Sequence, residues 1–430
     1  MDKRHHSGDT SDFRLVLENV RCFSKRFSES IRPLTLLVGE NSAGKSTFLA
    51  ALAAVTDANS FPGAPAVYQE PFDLGNFDTT ATYKGGRAGR VEFFRLGYVA
   101  TYRGRTHEIT ATYRDRFGKA RLAEFSVENP GAKFHAQVDD TVLKCTLTVG
   151  AKPPRHFINA FDEVSSINID FLRHVIFRGI IKNEDVASSA TSSDEMLLRR
   201  VLPRVFRGRP MSPIRSEPHR TYDRSGEAFK PEGDHIPFEI ARMYQEKGRD
   251  FELVRDHLTQ FGTESNLFKK LEPKRLGNKP GDPFKIDVTV SGRPANIKDV
   301  GYGVSQALPV VVESVMSGAS NLMLLQQPEV HLHPRAQAAL GTFFCKLVNN
   351  SQRHIVIETH SDYLIDRVRR EVAKGLIKRE MVSLLYFERS HMDTEIYPLE
   401  LDELGNIKKA PAGYRNFFIK EKMSVLNRAE

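Results

Sequence analysis

The sequence predicts an α/β protein: one sheet built from the two ends of the chain, with an antiparallel β subdomain and a mainly helical insertion. Three observations predict it. Near the N-terminus, "LTLLVGENSAGKSTFLAALAAV" runs from an apolar strand through a Gly-rich turn into an apolar helix. Far downstream, "NLMLLQQPEVHLHPR" and "RHIVIETHSDYLIDRVRREV" each begin as an apolar strand that turns polar at its end, the second leading into a helix. Between them, residues 91–126 alternate apolar and polar in three runs separated by "RGR" and "DRFGK", as an antiparallel meander does. Strand–turn–helix units at both ends, with a different middle, imply a single sheet fed by distant segments.

The elements follow in order. "FRLVLENVRCF" at 13–23 alternates like a half-buried strand. Residues 132–149 continue the β texture of the meander. From 151, "KPPRHFINAFDEVSSINIDFLRHVIF" reads as helical or irregular. Phe251, Val254, Leu258 and Phe261 stand at helical spacing and predict a core-facing stripe. β texture returns with "FKIDVTV", and "YFERSHMDTEIYPLELDELGN" reads as a closing strand pair with a turn. The expected division is 1–150, 151–285 and 286–430.

Composition narrows the class. Of 430 residues, 40% are apolar and 27% charged, the balance of a globular chain. A net charge of +8 permits a nucleic-acid or acidic-protein partner without demanding one. Cys22, Cys145 and Cys345 are too scattered for a disulfide framework or a zinc ribbon. No secretory leader and no apolar run of membrane-spanning length is found, so the cytoplasm is expected.

"GENSAGKS", Gly39 to Ser46, satisfies G-x-x-x-x-G-K-[ST] between a strand and a helix, the context this phosphate-binding loop requires. Its glycines let backbone N–H groups curl round phosphates, and the helix N-terminus adds partial positive charge. Lys45 is placed to reach the β/γ-phosphates and Ser46 to offer a hydroxyl to Mg²⁺. Thr47 alone reads as helix surface or core.

Taken together, "GENSAGKST", "DVGYGVSQALP", "QQPEVHLHPRAQ" and "ETHSDYL" resemble the ABC-type ATPases related to RecF, SMC and OLD proteins. More narrowly they resemble stand-alone bacterial AAA family ATPases with ABC-like heads, found in phage-defence systems such as Septu and some retrons. The resemblance covers roughly 13–80 and 285–405, and touches "MSPIRSEPHRTYDRSGE" at 211–227. It implies an ATPase head in two lobes, 1–150 and 286–430, around the insertion. It implies ATP and Mg²⁺, bound with Gly39, Asn41, Ser42, Ala43, Gly44, Lys45, Ser46 and Thr47. Gly303 and Ser305 fall at the signature position, which in that family reaches the γ-phosphate of ATP held by a second copy of the chain. His360 matches the switch histidine and Gln69 the Q-loop residue that senses Mg²⁺. His331 and His333 fall at the D-loop, which in that family touches the second copy; as metal ligands they lack further His or Cys nearby.

The sequence departs from the family where the Walker B strand should end in two acids. Gln326 and Gln327 stand there. Gln326 still offers a carbonyl oxygen to the metal; Gln327 can orient a water but cannot accept its proton. Either the site turns over slowly as an ATP-gated clamp, or another carboxylate has moved in, or the pair is a deliberate substitution. Glu358, two residues before His360, is the first candidate, supplied from the adjacent strand. Glu329 is the rival, expected to point toward the D-loop. Arg353 is the plain partner considered for Glu358.

The leading expectation is an ATPase that dimerises on ATP, as a homodimer or higher homo-oligomer, and controls a separate effector in antiphage defence. The alternative is a RecF-like repair ATPase gripping DNA directly. A nuclease with its own site is disfavoured, since about 70 residues follow "THS" and no D-x-D pair occurs there. From Arg199 to Arg215 there are six arginines and no acids, a run suited to phosphate or carboxylate. Arg215, in its "PIR" context, reads as structural.

Overall fold

The computed structural model describes residues 10–63, 68–86, 89–102, 104–181, 206–223, 228–279, 281–316, 322–351 and 353–414. The chain forms two compact units that interleave in sequence. The first takes in Met1–Arg32, Asn41–Gly208 and Arg389–Glu395; the second takes in Pro33–Glu40, Arg209–Glu388 and Ile396–Glu430.

The first unit is organised by an antiparallel sheet. Its strands are β1 (Thr10–Glu18), β2 (Phe27–Ser30), β6 (Phe93–Tyr102), β7 (Arg105–Arg116), β8 (Lys119–Asn129), β9 (Ala132–Asp139), β10 (Val142–Val149) and β11 (Arg155–Ala160), in the order β11-β10-β9-β8-β7-β6-β1-β2. The meander forms as the alternation predicts. Tyr98, Tyr113, Phe94, Phe125 and Phe134 fill its buried face. A two-stranded ribbon, β4 (Tyr68–Gln69) and β5 (Phe72–Asp73), and helices α1 (Lys45–Thr56), α2 (Phe77–Thr80) and α3 (Ile169–Ile181) complete it. The stretch expected to be helical or irregular from 151 is corrected in part: Arg155–Ala160 is a strand, paired to β10. Its burial alternates between half-buried and exposed, so no apolar face announces it; it is ordered by the open edge of β10.

The second unit holds the sheet expected from distant segments. Its strands are β3 (Leu34–Gly39), β12 (Gly208–Met211), β16 (Leu322–Gln326), β17 (His354–Glu358), β18 (Val382–Ser390), β19 (Asp393–Leu401) and β20 (Ile407–Lys408), in the order β12-β16-β17-β3-β18-β19-β20. The strands β3, β16, β17 and β18 are parallel to their neighbours within this set. Their continuous apolar runs are what strands covered on both faces require. Helices α4 (Ile236–Glu246), α5 (Arg249–Ser265), α6 (Tyr302–Met316), α7 (Pro334–Asn349) and α8 (Asp362–Ala373) also belong here, with a small antiparallel sheet of β13 (Lys270–Arg275), β14 (Phe284–Thr289) and β15 (Ala295–Asn296). The stripe predicted on α5 is found: Val254, Leu258 and Phe261 are buried and Phe251 packs at the margin of the same core. The closing strand pair is β18 and β19. Cys22, Cys145 and Cys345 are free and buried. Among the described residues, no helix is long and apolar enough to cross a membrane.

The basic run is only partly visible. Arg199, Arg200 and Arg204 lie outside the described residues. Arg207 is exposed. Arg209 and Arg215, by contrast, are structural. Arg209 ion-pairs with Glu313 on α6 and lies 4.1 Å over the Phe229 ring. Glu313 also bonds His235 Nε2 at 2.9 Å. A buried carboxylate needs such partners, which is why Arg209 turns inward. Arg215 is thus structural, as its context suggests, and Arg209 is withdrawn from the part of the run that a ligand could meet.

His354, at the start of β17, has its imidazole pushed down to about 4 by burial. The unfolded chain takes up that proton near 6.5, while the folded chain resists it. Stability is therefore lost as pH falls from about 6.5 toward 4. Urea unfolding at pH 7 and pH 5 should show that loss, and His354→Leu should make the dependence shallower.

Candidate active site

The loop after β3 is shaped by close approaches that only glycine allows. Gly39 has φ +140°, and a Cβ there would lie 2.3 Å from the Phe387 carbonyl oxygen on β18. Gly44 has φ +96°, and its Cβ would meet Cys22 Sγ at 2.7 Å. Ser42 is also left-handed, at φ +60°. Left-handed residues interspersed in a tight loop turn successive N–H groups inward to form an anion-binding concavity. Helix α1 begins immediately after, capped by Gly44, with no acidic side chain in its first turn. Its N-terminal end is thus left favourable to anions. Asn41, Ser42 and Ser46 are not buried, while Ala43, Lys45 and Thr47 are. Thr47 therefore faces the core rather than the surface, the two places its residue type alone allows. Gln69 lies in β4 and pairs with Phe72 through the backbone.

The second unit gathers the other predicted residues at one sheet edge. β17 lies between β3 and β16, as expected, and Glu358 is in register with Gln326 on one side and Leu37 on the other. Chain direction is common to all three, so their C-terminal ends share that edge. Gln327 leaves β16 in the left-handed region, at φ +43°, costly for a residue with a Cβ. Two hydrogen bonds hold it: its N–H donates to the Glu358 carbonyl at 2.8 Å, and its own carbonyl accepts from Arg215 Nη2 at 3.2 Å.

Glu329 departs from expectation. It does not point to the D-loop. Its Oε1 accepts from Thr359 Oγ1 at 2.8 Å and from the His360 N–H at 2.7 Å, tying the turn after β16 to the end of β17. Its Oε2 is buried and, among the described residues, accepts no hydrogen bond. Burial raises its carboxyl above the ordinary range, against the pull of those hydrogen bonds and of Arg215. Arg215 is itself lowered to about 10 by burial. Glu358 is buried and engaged. Arg353, the plain partner considered for it, donates to the Ser314 carbonyl. The His360 side chain is exposed, so the loop presents the imidazole while its backbone stays anchored.

At the signature position, Ser305 is buried and donates to the Tyr302 carbonyl at 2.8 Å within α6. A Cβ on Gly301 would meet nothing within 4 Å, and one on Gly303 only ordinary contacts. Neither glycine is demanded by its own fold, unlike Gly39 and Gly44. His331 stacks edge-on with Tyr302 at 5.3 Å, and His333 caps α7 by accepting the Arg335 N–H. Among the described residues, no cluster of three or more His, Cys, Asp or Glu could hold a metal ion. What sequence reading missed is what the braces hold: Arg215 reads as structural, but its partner is not legible. The Arg215–Gln327 bond spans 112 residues, and a separation of that kind leaves no local pattern.

Residues 180–365 match the model of the AAA ATPase domain family, which places an ATPase-type domain in this chain. That span holds the "GYGVS", "QQPE" and "THS" segments, whereas the Gly39–Ser46 loop lies outside it. A curated relative, an OLD nuclease from Thermus scotoductus, is 23% identical over 382 residues, covering 85% of this chain. The chain spans 62% of that relative's length. Among solved structures, an SMC head bound to the C-terminal winged-helix domain of ScpA is 12% identical, with TM-score 0.45, covering 91% of this chain and 98% of that one. The SMC head domain from Thermotoga maritima is 10% identical, with TM-score 0.42, covering 91% of this chain and 99% of that one.

Removing Arg215 should leave Glu329 buried without its compensating cation. Arg215→Met is expected to cost about 1–3 kcal/mol in denaturant unfolding, through the lost bond to the Gln327 carbonyl and the lost attraction to Glu329. Arg215→Met with Glu329→Gln should cost less than the two single changes summed.

Proposed function

We propose that the chain binds ATP at the Gly39–Ser46 loop, hydrolyses it slowly, and uses the nucleotide to close a homodimer that controls a separate effector protein. The observation that carries this reading is the loop itself. A strand ends at a glycine packed against a neighbouring backbone, left-handed residues turn the chain, and a helix free of first-turn acids begins at Lys45. The match to an ATPase domain supports it from a separate stretch of chain. Lys45→Ala should abolish ATP binding measured by calorimetry; retained binding would rule the loop out.

Magnesium suits the donors present. Ser46 offers a hydroxyl in the loop, and at the sheet edge Gln326 offers an amide oxygen; both are the hard oxygen donors that magnesium takes. When bound with ATP it would neutralise charge on the phosphate oxygens. The protein's part is positioning. Gln327 would orient the attacking water, and His360 would donate to the γ-phosphate. The base must be another group. Glu329 suits that role better than Glu358, because one of its oxygens is uncommitted and its affinity for a proton is already raised. The water proton would pass to Glu329 as the water oxygen bonds the γ-phosphorus and the bond to the β–γ bridging oxygen breaks, releasing ADP.

Three variants test the assignment by steady-state turnover. Glu329→Gln should lower kcat by about 10²–10⁴ with ATP binding retained. Glu358→Gln should have the smaller effect, and Gln327→Glu should be neutral or activating. Because the base must be deprotonated, wild-type turnover should fall as pH drops through a value above the ordinary carboxylate range. Unchanged turnover in both Glu variants would leave a clamp without a resident base.

The dimer reading rests on Gly301 and Gly303, whose small size nothing inside the chain requires, and on exposed Tyr302 beside them. Ser305→Arg should leave ATP binding by a single protomer intact and block ATP-dependent dimer closure in solution scattering. The antiphage setting rests on the motif resemblance. A toxic effector gene beside this one would favour it; a recombination operon would favour the DNA-repair alternative. The OLD nuclease relative motivates a second reading, a nucleolytic activity gated by ATP. Plasmid nicking by wild type that is lost in Lys45→Ala would support this reading; nicking that persists in Lys45→Ala would show that ATP does not gate it.

A further inference from the structure

The phosphate loop is braced from outside by the tip of the β18–β19 hairpin, within the first unit. Arg389 Nη1 donates to the Ser42 carbonyl at 2.9 Å, and Thr394 Oγ1 donates to the Ala43 carbonyl at 3.1 Å. These partners are 347 and 351 residues apart in sequence. The tip is itself tied down: the Thr394 N–H donates to the Cys22 carbonyl at 2.8 Å, and the Ser24 N–H donates to Asp393 Oδ1 at 3.3 Å. Cys22 and Phe23 in turn lie under Gly44, where no side chain would fit.

In a trans peptide the C=O of one residue and the N–H of the next point in opposite directions. A donor that holds the Ser42 carbonyl outward therefore holds the Ala43 N–H the other way. A donor on the Ala43 carbonyl does the same for the Gly44 N–H. We infer that Arg389 and Thr394 are positioning residues for phosphate binding, which fix two consecutive peptide planes so that their N–H groups face the ligand. The loop's left-handed residues make this necessary. Flexible glycine-containing backbone has several accessible arrangements, and ordering it at the moment of binding would weaken affinity. Neither residue needs to touch the nucleotide. Thr394 carries no charge, so an effect there cannot be read as direct attraction of phosphate.

This rests on the nucleotide reading of the loop, and the experiment separates the two. Full-length wild type, Lys45→Ala, Thr394→Val, Thr394→Ser and Arg389→Met are titrated calorimetrically with ATP and with inorganic tripolyphosphate, each with magnesium. Thr394→Val and Arg389→Met should each weaken both probes about three- to tenfold, the scale of one hydrogen bond. Thr394→Ser should restore wild-type affinity. In turnover, KM for ATP should rise while kcat holds, and the melting temperature of the nucleotide-free protein should not move. Undiminished affinity in both Thr394→Val and Arg389→Met, with Lys45→Ala inactive in binding, overturns the positioning role. A loss that tracks a lowered melting temperature and is not rescued by serine overturns it as well. If wild type and Lys45→Ala bind alike, the nucleotide reading fails and takes this inference with it.

Discussion

The second unit depends on how β3 is held. This short strand has parallel neighbours on both sides, β17 and β18, and its last residue lies against the backbone of Phe387. A side chain at Gly39 would push the strands apart, since the obstacle is a carbonyl oxygen fixed in a sheet ladder and unable to swing away. The same strand brings Leu37 into register with Glu358, and through it aligns Gln326. One close backbone approach therefore sets both where the loop departs and which residues stand at the adjoining strand ends.

Around that edge, the strand that ends in two amides is held by backbone hydrogen bonds. Gln327 is held in a left-handed conformation by the Glu358 carbonyl and Arg215, so its backbone serves the turn whatever its side chain does. A carboxyl group stands nearby: Glu329, buried, with one oxygen committed to Thr359 and His360. Its cost in desolvation is only partly offset by those donors and by the nearby Arg215 cation. A carboxylate in that setting holds its proton more tightly than one in water, which is the property a base near neutral pH needs.

The arginine run shows how composition can mislead. Six arginines without acids look like a solvated or ligand-binding face, because local sequence contains nothing to neutralise them. For two of the six, acids come from remote elements: Glu313 takes Arg209, and Glu329 attracts Arg215. Burial of Arg215, and the inward turn of half-buried Arg209, are accommodated by a carboxylate arriving from another element.

What the sequence determined by itself was whatever has a short period or a fixed local spacing. The alternation of 91–126 specified the meander, and helical spacing from Phe251 to Phe261 specified the buried stripe of α5, because side-chain direction repeats every two residues in a strand and every 3.6 in a helix. The Gly39–Ser46 spacing specified the loop between β3 and α1, because positive φ and close approach admit almost only glycine. Tertiary structure alone decided the rest. It ordered β11 on the open edge of β10, turned Glu329 toward His360, and brought Arg389 and Thr394 to the loop. Each of these is a partnership between polar groups far apart along the chain or on separate elements, where the donor's identity matters less than its arrival, and no local pattern records an arrival.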